Sequence, residues 1–397
     1  MSRMPGRHFL QIPGPTNTPL RILSAIALPT IDHRGPEFRD LALDVLERIR
    51  RVFRTEGPVV IYPASGTGAW EAALVNTLSP GDRVLMAETG HFATLWSRMA
   101  ERLGLDVELI PGDWRSGADA EAIGARLAED RDHTIRAVAV VHNETSTGVT
   151  SDIAAVRRAI DRSGHPALLL VDTISSLASI DFRHDEWGVD VTVGGSQKGL
   201  MLPPGLSFNA VSDKARAAAR SARLPRAFWD WEDILAANRT GYFPYTPSTN
   251  LLQGLRVALD LIDEEGLEAM FERHLRAAAA VRRCVAQWGF EIQALDPGEA
   301  SPSLTAVRMP SGHSADQLRS GILDRSSVSL GNGLGRLADR VFRIGHLGDF
   351  NDPALLGTLA AIEMGLSASS VPHRSGGVEQ AMMALAERNS PPALAAE

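Results

Sequence analysis

Two runs, Ala167-Leu-Leu-Leu-Val-Asp172-Thr and Val191-Thr-Val-Gly-Gly-Ser-Gln-Lys198-Gly, decide how this chain is read. The first is a short apolar run that ends in a carboxylate. The second is a β-branched run that ends in an amine bracketed by glycines. Continuous hydrophobicity of this kind marks strands buried on both faces of a parallel sheet. The interval between Asp172 and Lys198 has room for one crossover and the next strand. In open α/β sheets ligands bind outside the carboxyl ends of the strands, which is where these two side chains fall.

Working outward, the alternation of apolar runs and helical patterns continues from Pro58 to Val211. It predicts strands at Val59–Tyr62, Arg83–Ala87, Asp106–Ile110, Ala137–His142, Ala167–Val171, Val189–Val193 and Gly205–Val211. Helices are predicted at Gly68–Leu78, Phe92–Leu103, Ala118–Ala128 and Ile153–Arg162. The result is an α/β domain with a seven-stranded, mostly parallel sheet flanked by helices. Helical spacing resumes near Asn250 and runs through Phe271–Trp288 as a linking spine. Beyond it, strands at Phe290–Ala294, Thr305–Met309 and Val341–Ile344 alternate with helices at Ala315–Leu323 and Pro353–Leu366, a smaller α+β C-terminal domain. The tail from Ser367 to Glu397 is expected to end in one helix. The chain thus divides into an N-terminal arm (1–20), a large domain (21–250) and a small domain with its linking helix (251–397).

Composition narrows the function. The 397 residues, 44% of them hydrophobic, can bury a substantial core. A net charge of −8 gives no overall basic surface, so a nucleic-acid partner is not expected. No apolar run reaches the ~20 residues of a membrane span, and Met1–Leu10 lacks a signal core, so a cytoplasmic protein is expected. The single cysteine, Cys284, excludes internal disulfides and cysteine-based metal clusters. Only Lys198 and Lys214 are lysines, so 38 of the 40 basic residues are arginine. Arginine cannot serve as a neutral amine near pH 7, which makes the position of each lysine informative.

An amine held among Gly194, Gly195, Gly199 and apolar neighbours loses its proton by desolvation and becomes the free nucleophile that a Schiff base requires. Lys214, just before a helix in Ser-Asp-Lys-Ala-Arg, reads as an ordinary solvated lysine. Asp172 at a neighbouring strand end is the carboxylate that keeps a pyridine nitrogen protonated; a helix N-cap is the plainer reading. Val59-Val-Ile-Tyr-Pro-Ala-Ser65-Gly66-Thr67-Gly68 is strand, small-residue loop and helix start, which aims backbone N–H groups at an anion. It matches neither the Walker motif nor the dinucleotide fingerprint. Phe92 in Glu88-Thr-Gly-His-Phe can lay a ring on a flat cofactor or pack in the core. Arg343, inside the apolar Val341-Phe-Arg-Ile-Gly, needs an anion, either a substrate carboxylate or a structural partner.

Together these stretches resemble the class V aminotransferases of the pyridoxal phosphate fold type I group, in their serine–glyoxylate and alanine–glyoxylate branch. The resemblance runs from about Phe9 to Leu366. It rests on Pro13-Gly-Pro-Thr-Asn, Ser65-Gly-Thr-Gly, His142-Asn-Glu-Thr-Ser-Thr-Gly, Val171-Asp-Thr-Ile-Ser-Ser, Gly195-Ser-Gln-Lys-Gly, Gly241-Tyr-Phe-Pro-Tyr-Thr-Pro and Phe342-Arg-Ile-Gly-His. Asp32-His-Arg, Asp185-Glu-Trp and Trp229-Asp-Trp-Glu also agree with the bacterial serine–glyoxylate enzymes, and aspartate–glyoxylate enzymes are near neighbours.

The resemblance implies pyridoxal 5'-phosphate as cofactor and a ping-pong transfer of an amino group, from serine by preference, to glyoxylate. Aspartate and alanine remain open as donors. It implies that Lys198 carries the cofactor and moves the proton, that Asp172 pairs with the ring nitrogen, and that Phe92 and Ile174 flank the ring. Ser65, Gly66, Thr67 and Gln197 would hold the phosphate, with Tyr245 and Thr246 reaching across a homodimer that shares its active sites. Ser146 or Thr147 would touch the phenolic oxygen, and Arg343 with Asn17 would grip the substrate carboxylate. The stacking position is often Trp in this family, and relatives vary at Ser146.

Other readings fit less well. A cysteine desulfurase of the same fold would want its cysteine on a late active-site loop, whereas Cys284 lies in an arginine-rich helical stretch; a lyase of the same fold stays as an alternative. A serine hydrolase would want Gly-x-Ser-x-Gly, and Gly194-Gly-Ser-Gln-Lys198 has lysine in the last place. His142-Asn-Glu144 lacks the paired cysteines of a zinc deaminase. A non-enzymatic scaffold would leave Lys198 and the phosphate loop without a task.

Overall fold

The computed structural model describes residues 6–387. The chain starts with β1 (Phe9–Gln11), then α1 (Leu20–Ile26) and α2 (Pro36–Phe53). It continues through β2 (Val59–Tyr62), α3 (Gly66–Thr77), β3 (Arg83–Ala87), α4 (His91–Arg102), β4 (Asp106–Ile110), α5 (Ala120–Glu129) and β5 (Ile135–Val141). A small hairpin, β6 (Asn143–Glu144) and β7 (Val149–Thr150), precedes α6 (Ile153–Ser163), β8 (Leu168–Asp172), β9 (Val191–Gly195) and β10 (Ser207–Val211).

These strands form a seven-stranded sheet in the order β2-β10-β9-β8-β5-β3-β4. β10 runs antiparallel to both its neighbours, and the other pairings are parallel. β2, β8, β9 and β10 are buried at every position, as strands covered on both faces must be. On one face α2 buries Phe38, Leu41, Ala42, Val45, Ile49 and Val52, an i, i+3, i+4 stripe against the sheet. On the other, α3 is buried almost all round, which suits a helix wedged between sheet and neighbours.

After α7 (Asp213–Ala219) and α8 (Trp231–Asn238) the linking spine forms as two helices, α9 (Thr249–Glu265) and α10 (Leu267–Trp288). The break falls at Gly266, whose φ of +85° favours glycine. The C-terminal part adds β11 (Leu304–Arg308), α11 (Ala315–Ser326), β12 (Val328–Asn332), β13 (Val341–Gly345), α12 (Asp352–Ala368) and α13 (Gly377–Ala386). Its sheet has the order β1-β12-β13-β11, so the N-terminal arm pairs in parallel with β12, Phe9 opposite Val328.

The predicted strand at Phe290–Ala294 does not form. Only Ile292 bridges to Val307, because the segment divides its hydrogen bonds between β11 and the loop at Trp114–Arg115. β12 was not anticipated: Ser329 and Gly331 interrupt its apolar pattern. The predicted tail helix is α13, packed on Trp288 and Glu363; residues 388–397 lie outside the described residues.

Candidate active site

The carboxyl ends of β2, β5, β8 and β9 converge on one cavity of about 230 Å³. Its wall holds Ser65, Gly66, Thr67, Trp70, Phe92, Val141, Asn143, Thr145, Asp172, Ile174, Gln197 and Lys198. Eight of the sequence-predicted residues therefore meet in one place.

Lys198 follows β9 and is 8% exposed. Its Nζ donates to the carbonyl of Pro13. The chain at Gly14 passes so close that a Cβ there would lie 2.3 Å from Lys198 Cδ, and Gly14 has φ +95°. The backbone conformation calls for glycine here, and a Cβ would also push the end of the Lys198 side chain aside. Thr16 clamps the same junction, with its hydroxyl donating to Lys198 O at 3.0 Å and its N–H donating to Gln197 O. Burial, seconded by the nearby Arg343 charge, lowers the Lys198 amine to about 7, and Asp172 opposes the shift.

Asp172 ends β8 and does not cap a helix. Its Oδ1 accepts from the Ile174 N–H at 2.6 Å and its Oδ2 from the Trp70 indole N–H at 2.9 Å. Burial raises the carboxyl to about 7, while those two donors and the Lys198 charge pull it back down.

The loop after β2 leads into α3 with Ser65 at the N-cap position, its side chain making no cap bond. The first turn therefore presents N–H groups and the positive end of a helix dipole to the cavity. Ser65 and Thr67 are exposed at the mouth, and Gly66 packs so tightly on Ile174 that a Cβ would sit 2.2 Å from its Cδ1. Gln197 Oε1 is buried without a hydrogen-bond partner.

Phe92 enters the wall from the start of α4. A buried glutamate that the sequence reading left out positions this helix. Glu144 accepts from the N–H groups of Phe92 (3.3 Å) and Ala93 (3.1 Å) and from both the N–H and the hydroxyl of Ser146. Ser146 Oγ in turn accepts from the His91 N–H at 2.9 Å. The Ser146 hydroxyl is thereby committed to the α4 cap, and Thr147 also lies outside the wall. Thr145 and Asn143 occupy the wall instead, both bonded to Ser175 Oγ. In the alternation along this hairpin Thr145, one residue earlier, faces the cavity.

Arg343 lies in β13, 6% exposed, with Gly331 against its Cβ. Its Nε donates to Asn332 O at 2.7 Å and its Nη1 to Thr145 O at 2.8 Å. Among the described residues no carboxylate lies within ion-pairing distance of it, so the structural-salt-bridge reading does not hold. Burial lowers its pKa to about 10, which leaves it cationic at neutral pH. Asn17 spends its amide on Leu10 O and stands outside the cavity wall. Tyr245 and Thr246 are also outside this wall. Tyr245 is 45% exposed and stacks on the exposed Phe228 with centroids 5.1 Å apart. Cys284 is buried in α10, far from the wall residues in the fold, and burial pushes its thiol up.

Among the described residues no helix is long and apolar enough to cross a membrane. The class V aminotransferase model matches residues 13–335. The chain is 50% identical to the serine–glyoxylate aminotransferase of Methylorubrum extorquens, covering 92% of each. It is 46% identical to the L-aspartate–glyoxylate aminotransferase of Paracoccus denitrificans, covering 94% of each. The crystal structure of pyridoxamine–pyruvate aminotransferase from Mesorhizobium loti superimposes with a TM-score of 0.89 at 28% identity, covering 97% of this chain and 99% of that one. With the family's model over most of its length, half its residues shared with a curated member and the family's architecture throughout, the chain belongs to the class V aminotransferases.

Proposed function

We propose that the protein transfers the amino group of L-serine to glyoxylate, giving hydroxypyruvate and glycine, with pyridoxal 5'-phosphate bound at Lys198. The observation that carries the reading is a buried amine and a buried carboxylate on one cavity, with an arginine nearby that has no carboxylate partner. The relatives named serine–glyoxylate aminotransferase support the substrates.

The residues fit this cofactor. The uncapped N-terminus of α3 suits a phosphate, and Gln197, whose buried Oε1 has no partner, is free to turn its amide so that the Nε2–H donates to one. Ser65, Gly66, Thr67 and Gln197 would hold that phosphate, Phe92 and Ile174 would flank the ring, and Thr145 is a wall hydroxyl that would have to exchange its bond to Ser175 Oγ to reach the ring's oxygen. When bound, pyridoxal phosphate supplies an electron sink that acidifies the α-hydrogen of an amino acid.

The chain's own residues do the rest. With its pKa lowered to about 7, Lys198 Nζ is substantially uncharged at neutral pH, able to take a proton from the substrate α-carbon and return it to a neighbouring carbon. Asp172, held by two N–H donors, presents a fixed carboxylate to a cationic ring nitrogen. Arg343, anchored by two backbone carbonyls, offers its remaining N–H groups to the substrate carboxylate. Exposure of Tyr245 and Thr246 supports a homodimer in which these two side chains complete the partner's phosphate site.

Serine is put before aspartate by the relatives named for it, and the described wall adds no further cation for a distal carboxylate. Among the described residues Lys198 is the only cation in the cavity wall; of the two arginines that could answer a distal carboxylate, Arg226 is consumed by Asp230 and three backbone carbonyls, and Arg34 is exposed outside the wall. A distal carboxylate therefore finds no free cation in the wall of one protomer. The test is a donor panel with glyoxylate as acceptor. Serine should give the highest kcat/KM, with alanine lower and aspartate at least tenfold lower; a faster rate with aspartate would replace serine in the proposal.

A further inference from the structure

We propose that Trp70 is the positioning residue of this site, its indole N–H fixing one oxygen of Asp172 so that the carboxylate faces the cofactor's ring nitrogen in one orientation. The proposal rests on the cofactor reading above and goes beyond it. Of the two donors on Asp172, the Ile174 N–H is backbone two residues along the chain, and any residue there would supply it. The other arrives from a different element altogether: Trp70 lies one turn into α3, and its Nε1 reaches Oδ2 at 2.9 Å. The same helix has the uncapped N-terminus that would meet the phosphate, so α3 would brace the cofactor at both the phosphate and, through Trp70 and Asp172, the ring nitrogen.

The indole cannot swing away. It is 2% exposed and stacks on Trp96 with centroids 5.8 Å apart and planes 13° apart, while Phe92, one turn before Trp96 on α4, tilts against it at 6.4 Å. Trp96 supplies the contrast. It is as deeply buried in the same stack, yet its Nε1 has no hydrogen-bond partner. The packing thus accepts an indole without using its N–H at one position and directs that N–H to a carboxylate at the other.

A hydrogen bond to an ionised acceptor in a dry site stabilises the ion, so Trp70 also favours the anion of Asp172. The other charged groups around Asp172 are Lys198 beyond β9, which favours the anion, and Glu144 of β6, which disfavours it. Arg343 of β13 acts on Lys198. The adjacent His142 is lowered to about 4 by burial and is neutral in the working range.

The test compares wild type, Trp70→Phe and Trp96→Phe. Both variants remove an indole from one stack, and only the first removes a bond to Asp172. Titration of each apoenzyme with pyridoxal phosphate should give about ten- to hundredfold weaker binding for Trp70→Phe and a change under about twofold for Trp96→Phe. The acid limb of the kcat profile should move to higher pH in Trp70→Phe only, since the carboxylate then takes a proton more readily. Should Trp70→Phe fold poorly, proton–nitrogen NMR of the indole-labelled wild type replaces it, and the Trp70 signal should shift on cofactor binding while that of Trp96 stays. Equal losses in both variants, no loss in Trp70→Phe, or an unresponsive Trp70 signal overturns the proposal. Wild type that takes up the cofactor while Trp70→Phe matches it overturns Trp70 alone; wild type that takes up none overturns the cofactor reading as well.

Discussion

Arg343 is a cation in a buried strand with two backbone carbonyls as its only described acceptors. A planar fork in that setting is matched to a carboxylate bidentately, which an ammonium cannot reproduce. Arg343→Lys should raise KM for both serine and glyoxylate about ten- to hundredfold in steady-state assays, with a smaller effect on kcat. An unchanged KM would remove Arg343 from the site. Lys198, Asp172 and Arg343 were legible in the sequence because each is an ionisable group in an apolar or glycine-rich surround, a local anomaly that the linear chain displays. Trp70 and Thr145 were not. Trp70 reads as one more core aromatic until its N–H is seen on Asp172, and choosing Thr145 over Ser146 depends on which way the turn after β6 faces.

At the scale of elements, α4 depends on a cap from outside its own sequence. No side chain at its N-cap position accepts a bond, and Glu144 and Ser146 take the first N–H groups instead. A carboxylate there also meets the positive end of the helix dipole. Glu144→Ala strands these donors in a buried site and should lower stability by about 3 kcal/mol in urea unfolding, with Glu144→Gln between it and wild type. A midpoint unchanged by Glu144→Ala would contradict this account of how Phe92 is held. All seven strands of the large sheet were legible to within about two residues at each end, the buried ones because strands covered on both faces carry continuous apolar runs. β12, held between β1 and β13, and the segment at Phe290–Ala294, beside β11, were not, because their pairing is settled by partners that the local pattern does not display.

For the whole molecule, the site exists only where three distant parts of the chain meet. Pro13 and Gly14 lie against Lys198, Arg343 reaches across to Thr145, and Ser303 bonds Asn143. The small sheet thereby shares hydrogen bonds with the cavity wall built by the large one. None of these long-range contacts is written in hydrophobic periodicity, which is why the architecture was easier to read than the packing between its two sheets. All of the proposed chemistry converges on the amine of Lys198 being uncharged and joined to the cofactor. Borohydride reduction of the purified protein followed by peptide mass mapping tests this directly: the account predicts a phosphopyridoxyl group on Lys198 alone, and labelling of Lys214 or of no residue would contradict it.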